Sequence, residues 1–190
     1  MMLLLASQSP RRAELLKQTG IPFRQYPVDI DETVLTHETP DKYVRRMAQE
    51  KSSLGYKRAG AKKLVLGLDT IVVTEGNILG KPKDKADAVR MLNLLSDSTH
   101  QVLTAVTITN CKQQKTIVVE TQVCFGALSN EQIAWYWTTG EPQDKAGSYG
   151  IQGLGGQFVK HIHGSYSAVV GLPLYQTKML LTEFGIINEC

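Results

Sequence analysis

The stretch Leu64–Val73 reads LVLGLDTIVV. It is apolar and β-branched except at Asp69 and Thr70, and far short of the roughly 20 residues that cross a bilayer. A run of this kind is a central strand, covered on both faces. It also holds a carboxylate, which is costly to bury uncompensated. Asp69 therefore needs a cation, a metal or a water-lined cleft, unless it lies near a strand end in solvent. With a partner it would act as a metal ligand or as a base for water. Thr70 alone is an ordinary strand former.

Met2 to Ala6 reads as a second buried strand, followed by a helix from Pro10 to about Gln18. Ser9 is a good N-cap, Pro10 suits the first helical position, and Gly20 fits the C′ position. Arg11 and Arg12 break this pattern, because they put two cations on the positive end of the helix dipole. A bound polyphosphate would resolve the conflict: a helix N-terminus binds anions, and guanidinium forks match phosphate oxygens. The alternative is that both arginines turn away to surface carboxylates.

Further along, Phe23–Ile30 reads as a strand broken by Pro27. Thr39 and Pro40 open a helix to about Arg58, its apolar face carrying Tyr43, Val44, Met47, Ala48 and Leu54. Glu75-Gly76-Asn77 turns the chain into Ile78 and Leu79, and Asp84 caps a helix to about Leu95. Gln101–Thr109 and Thr116–Phe125 are long strands. Ser129–Gln132 is a capping box whose helix ends at Gly140. Asp144–Gln157 is too rich in glycine for a regular helix. FVKHI and SYSAVVG read as a hairpin through His163-Gly164, and Pro173 starts a last helix that Gly185 ends. Helices alternating with strands, with a long strand pair inserted midway, indicate a mixed α/β or α+β sheet.

The 190 residues allow one sizeable core or two small lobes around a cleft. A net charge of +3 is too small to argue for nucleic-acid binding. No span crosses a membrane and the start makes a poor signal peptide, so a cytoplasmic location is expected. Cys111, Cys124 and Cys190 lack metal or disulfide spacing. His161 and His163 have no evident third ligand. Trp135, Tyr136 and Trp137 fit core and interface area.

Carboxylates at Asp31, Glu32 and Asp69, with cations at Arg11, Arg12, Lys51 and Lys81, fit one joint task. The acids would hold Mg²⁺ and the cations phosphates. Each exposed member alone could be solvated surface. The loop DKAGSYGIQGLGG lets backbone approach a ligand but is neither a Walker loop nor a dinucleotide fingerprint.

LASQSPRR, GLDTIVV, LGKP and DKAGSYGIQG, in this order and spacing, resemble the Maf family of nucleotide pyrophosphatases, also called the septum-formation-inhibitor family. The resemblance runs from Leu3 to about Leu181. It implies a single domain, residues 1–190, with a central mixed sheet flanked by helices and two lobes around a cleft, similar to inosine triphosphate pyrophosphatases. It also implies a divalent cation (Mg²⁺ or Mn²⁺), a homodimer, and hydrolysis of a nucleoside triphosphate between the α and β phosphates. By motif, Asp69 falls on the proton acceptor, with Glu32 and Lys51 also catalytic. Glu32 and Asp69 would hold the metal. Ser7, Arg11, Arg12, Thr70, Lys81 and Gln152 would bind substrate, with Arg11, Thr70 and Gln152 tied to substrate choice. The family's Asp normally follows Gly-Ala, whereas here it follows Gly67-Leu68. Ile151-Gln152-Gly153 is similar to members cleaving dTTP and UTP. A glutamine amide complements the ring N–H and carbonyl of uracil and thymine, whereas the acidic residue of 7-methyl-GTP relatives only accepts. Open alternatives are a 7-methyl-GTP or other modified-purine pyrophosphatase, or a non-catalytic nucleotide-binding regulator of septum formation.

Overall fold

The computed structural model describes residues 2–60 and 63–186; Cys190 lies outside them. The run around Asp69 is strand β3 (Leu64–Thr74), buried at nearly every position. Strand β1 (Leu3–Leu5) pairs with β3 in parallel, and strand β2 (Phe23–Gln25) pairs with β1 in parallel. Strand β4 (Asn77–Leu79) folds back antiparallel onto β3. Its turn needs positive φ at Glu75 and Gly76, which the glycine adopts without strain. Strands β5 (Thr99–Thr109) and β6 (Gln114–Phe125) are joined through Asn110, whose side chain accepts from the Lys112 and Gln113 amides. Strand β7 (Val159–His163) lies antiparallel on β6. The order β2-β1-β3-β5-β6-β7, with β4 on β3, is the mixed sheet the sequence indicates.

The helices begin where their caps predict. Helix α1 (Pro10–Lys17) starts at Ser9, whose hydroxyl accepts from the Arg12 amide. Helix α2 (Pro40–Ala59) follows Thr39, although the Thr39 side chain makes no capping bond. Helix α3 (Lys85–Leu95) is capped by Asp84, and helix α4 (Asn130–Thr138) by the full Ser129–Gln132 box. Three short 3₁₀ turns cover much of the glycine-dense segment. Helix α5 (Tyr166–Val170) and helix α6 (Leu174–Glu183) complete the chain.

Three local expectations are corrected. The strand expected over Phe23–Ile30 stops at Gln25, because Pro27 has no N–H to continue the ladder. The hairpin expected at His163-Gly164 is absent. SYSAVV is helical instead, since Ser165 caps it: the Ala168 amide donates to both the Ser165 hydroxyl and carbonyl. The Ser165 amide is itself fixed on Thr121 Oγ1. On α2, Leu54 is only half-buried, and Ser52 and Gly55 take the buried positions.

The chain divides into two compact units. The first is Met1–Asp69, Thr104–Val119 and Gly171–Cys190, and the second is Thr70–Leu103 and Glu120–Val170. In the first, α2 packs so closely on β3 that small residues are required at the contact. A Cβ on Gly55 would stand 2.8 Å from Val65 Cγ1, and one on Gly67 2.4 Å from the Ala48 carbonyl oxygen. The buried Ser52 hydroxyl seals the contact, 2.8 Å from the Val65 carbonyl and 2.7 Å from Thr109 Oγ1. The second unit is built on an aromatic core. Phe125 meets His100 and Tyr149 edge to face, and Tyr136 meets Phe158 in the same way. Buried His100 shares a 2.8 Å hydrogen bond with the Tyr149 hydroxyl, and burial lowers its pKa to about 4. Trp135 and Trp137 flank Tyr136 on α4.

Candidate active site

Asp69 ends the buried half of β3 that belongs to the first unit, and Lys51 reaches it from α2. On α2, Lys51 continues the face that carries Tyr43 and Met47. Its Nζ lies 2.8 Å from Asp69 Oδ1 and 2.7 Å from Glu32 Oε1. One ammonium therefore gathers two carboxylates, one nearly buried and one about half exposed. Burial pushes the Asp69 carboxyl above its ordinary value, and the charges of Lys51 and Arg12 pull it back. The result is an acid of increased basicity that its cationic partners favour in the ionised form.

The arginines at the helix start do not turn to surface carboxylates as a pair. Arg12 reaches inward. Its Nε donates to the Gly171 carbonyl (3.1 Å), and its Nη1 to the Leu68 carbonyl (3.1 Å) and the Ser7 hydroxyl (3.3 Å). Ser7 Oγ also accepts from the Ser9 amide. The guanidinium thus ties the head of α1 to the backbone just before Asp69. Burial lowers its pKa, while Asp69 opposes that shift. Arg11 is half-buried next to it.

Glu32 is placed by a clasp that the sequence reading missed. The Tyr43 hydroxyl donates to the Glu32 carbonyl (2.9 Å), and Arg46 Nη2 donates to the Thr33 carbonyl (2.9 Å). Arg46 also grips Glu38 with two 2.7 Å bonds and lies over the Tyr43 ring. The Arg46 contact holds the Glu38 carboxyl down at about 2. Burial, with Asp69 and Glu32 nearby, pushes the Tyr43 phenol up to about 12. The available signal was the helical spacing of Tyr43, Arg46, Glu50 and Lys51.

Ser7, Arg12, Glu32, Lys51 and Asp69 are therefore linked within the first unit. Thr70, Lys81 and Gln152 belong to the second. There the Gly147 amide donates to the Gly80 carbonyl, binding the LGKP segment to the glycine-dense one. Gly147 sits at positive φ, where a Cβ would strike Val72. Lys81 and Gln152 are exposed and Thr70 is half-buried.

A central mixed sheet flanked by helices, with a basic helix start beside a buried acid, defines an α/β protein whose fold also occurs in a HAM1 protein. A HAM1 protein from Coxiella burnetii superposes with a TM-score of 0.55 at 16% identity, over 96% of this chain and 99% of that one. The chain belongs to the Maf family: the Maf-like protein model matches residues 2–184. Curated relatives cover essentially its whole length. The dTTP/UTP pyrophosphatase of Pseudoalteromonas atlantica is 56% identical, over 100% of both chains. That of Vibrio vulnificus is 54% identical, over 96% of this chain and 98% of its own.

Proposed function

We propose that this protein is a nucleotide pyrophosphatase that hydrolyses dTTP and UTP to the monophosphate and pyrophosphate. The names of its full-length relatives support the substrate class. The observation that carries the chemistry is the Lys51 ammonium held between Glu32 and the buried Asp69.

The donor set fits Mg²⁺ or Mn²⁺. These hard ions are commonly held by one or two carboxylates plus substrate phosphates and water. Glu32 and Asp69 supply two converging carboxylates. Among the described residues no cluster of three or more metal-ligating side chains offers a dedicated cage. When bound, the ion would neutralise phosphate charge and polarise phosphoryl oxygens. Asp69 takes a proton from the water attacking the α-phosphorus, as the bond to the bridging oxygen breaks and pyrophosphate leaves. Lys51 keeps Asp69 ionised for that step and fixes its direction. Arg11, Arg12 and Lys81 supply positive charge for the triphosphate, with Ser7 holding Arg12. Thr70 and Gln152 are read as substrate contacts, Gln152 reading the base.

By the family resemblance the protein acts in the cytoplasm as a homodimer, each chain forming one Maf-type domain. No helix among the described residues is long and apolar enough to cross a membrane.

Pyrophosphate release is to be measured over a panel of canonical and modified triphosphates, for the native chain and Asp69→Asn. dTTP and UTP should lead the panel. The variant should lose roughly 10²–10⁴ in kcat while keeping its fold. Preference for 7-methyl-GTP would overturn the substrate reading. Binding of dTTP without pyrophosphate release would overturn the enzymatic one.

A further inference from the structure

The glycine-dense segment is wound around a single carboxylate. Glu141 Oε1 accepts from the Tyr136 hydroxyl (2.7 Å) and the Gly155 amide (3.0 Å), and Oε2 accepts from the Leu154 amide (2.8 Å). The Tyr136 hydroxyl accepts in turn from the Gly150 amide (3.2 Å). The loop closes this tightly only because two residues lack a Cβ. One on Gly153 would stand 2.2 Å from Glu141 Oε2, and one on Gly155 2.5 Å from the Tyr136 hydroxyl oxygen. Tyr136 is fully buried in the aromatic core, so the carboxylate rests on a fixed support. Burial raises the Glu141 carboxyl, but the Tyr136 hydroxyl and the two amides outweigh it and leave it below its usual value. Gln152 is exposed at the middle of this arrangement. Gly150 is held on one side of it, and Leu154 and Gly155 on the other.

We propose that Glu141, seated on Tyr136, is a positioning residue that sets where Gln152 presents its amide to the nucleotide base, and thereby determines pyrimidine selectivity. This rests on the reading of Gln152 as the base-reading side chain. A side chain on a glycine-dense loop can discriminate bases only if its backbone is held to within about half an ångström. Glu141 supplies that restraint from outside the loop. Glu141→Gln keeps the shape but leaves one acceptor oxygen for three donors. Its amide nitrogen would then face an N–H of Leu154 or Gly155, and one end of the loop would be released.

The test measures kcat/KM for dTTP relative to dGTP in Glu141→Gln, Tyr136→Phe, Gln152→Ala and the Glu141→Gln/Gln152→Ala double variant. Thermal melts are run alongside. Gln152→Ala should lower the ratio roughly ten-fold or more. Glu141→Gln should lower it about three- to ten-fold through KM for dTTP, with kcat within about two-fold. Tyr136→Phe, which keeps Glu141 and its two amide bonds, should shift it less in the same direction. It also reads the effect if Glu141→Gln does not fold. In the Gln152→Ala background Glu141→Gln should change nothing further. A lowered melting temperature with an unchanged ratio in both Glu141→Gln and Tyr136→Phe would leave Glu141 a purely structural residue. An equal drop in the Gln152→Ala background would show that it acts elsewhere. If Gln152→Ala itself leaves the ratio unmoved, the base-reading assignment fails and takes this inference with it.

Discussion

Replacing Gly67 with alanine tests how the site is held. Gly67 lies two residues before Asp69, on the same face of β3. The added Cβ would stand 2.4 Å from the Ala48 carbonyl oxygen and 2.5 Å from the Ser52 nitrogen. Those two atoms form one hydrogen-bonded rung of α2, so the methyl wedges against backbone that cannot swing aside. Restoring a contact of 3.0–3.4 Å requires α2 to retreat by about 0.6–1 Å. Overpacking of this kind costs about 1–3 kcal/mol. In a chain of this size that lowers Tm by roughly 2–12 °C. The same retreat, taken along the bond, lengthens the 2.8 Å Lys51–Asp69 contact to about 3.4–3.8 Å, which weakens it to the limit of a hydrogen bond or past it. Turnover should fall by roughly ten- to hundred-fold, as misplacement on this scale does elsewhere. The assay is a thermal melt by circular dichroism together with kcat for pyrophosphate release from dTTP. Gly126→Ala is the control, because its Cβ would meet its nearest atoms at 3.8 and 3.9 Å. A Gly67→Ala protein with native Tm and native kcat would disprove the claim that α2 is seated by this contact.

Three further outcomes are expected. Lys51→Met removes the cation that opposes the burial-driven rise of the Asp69 pKa, so the acid limb of the kcat/KM profile should move to higher pH by about one unit or more; an unmoved limb would separate Lys51 from the base. Arg46→Lys loses the paired grip on Glu38 and the bond to the Thr33 carbonyl, and should raise the Mg²⁺ concentration for half-maximal activity about three- to ten-fold, read by metal titration at saturating dTTP. His100 has a folded pKa of about 4 against an ordinary 6.5. A depressed pKa gives stability that is complete above 6.5 and is lost as pH falls toward 4, at most about 3 kcal/mol; denaturant melts of His100→Asn should show a flatter pH dependence across that window.

Local chemistry was legible in the sequence. Ser9, Asp84 and the Ser129–Gln132 box are caps because their partners lie within three residues. Asp69 stood out because a charge in an apolar strand must have compensation. The identity of that compensation was not local: Lys51 is 18 residues away in sequence, and the carbonyls that hold Arg12 come from Leu68 and Gly171. SYSAVV illustrates the opposite failure. Its β-branched and aromatic residues favour a strand, but the Ser165 cap, anchored on Thr121 from a distant strand, decides for a helix. Leu54 was misplaced because a helix that touches glycine on a strand turns its small residues inward. Glu141 gave no sequence signal of its own. It reads as one acid on a polar turn until the Leu154 and Gly155 amides are seen to converge on it.

The placement of α4 has a practical corollary for anyone unfolding this protein. Both tryptophans of the chain, Trp135 and Trp137, stand on that helix within the second unit, and the first unit has none. Indole emission therefore follows the melting of one half of the chain and is blind to the other, including the half that carries Lys51 and Asp69. Fluorescence and far-ultraviolet dichroism will trace the same curve only where both halves unfold in one cooperative step.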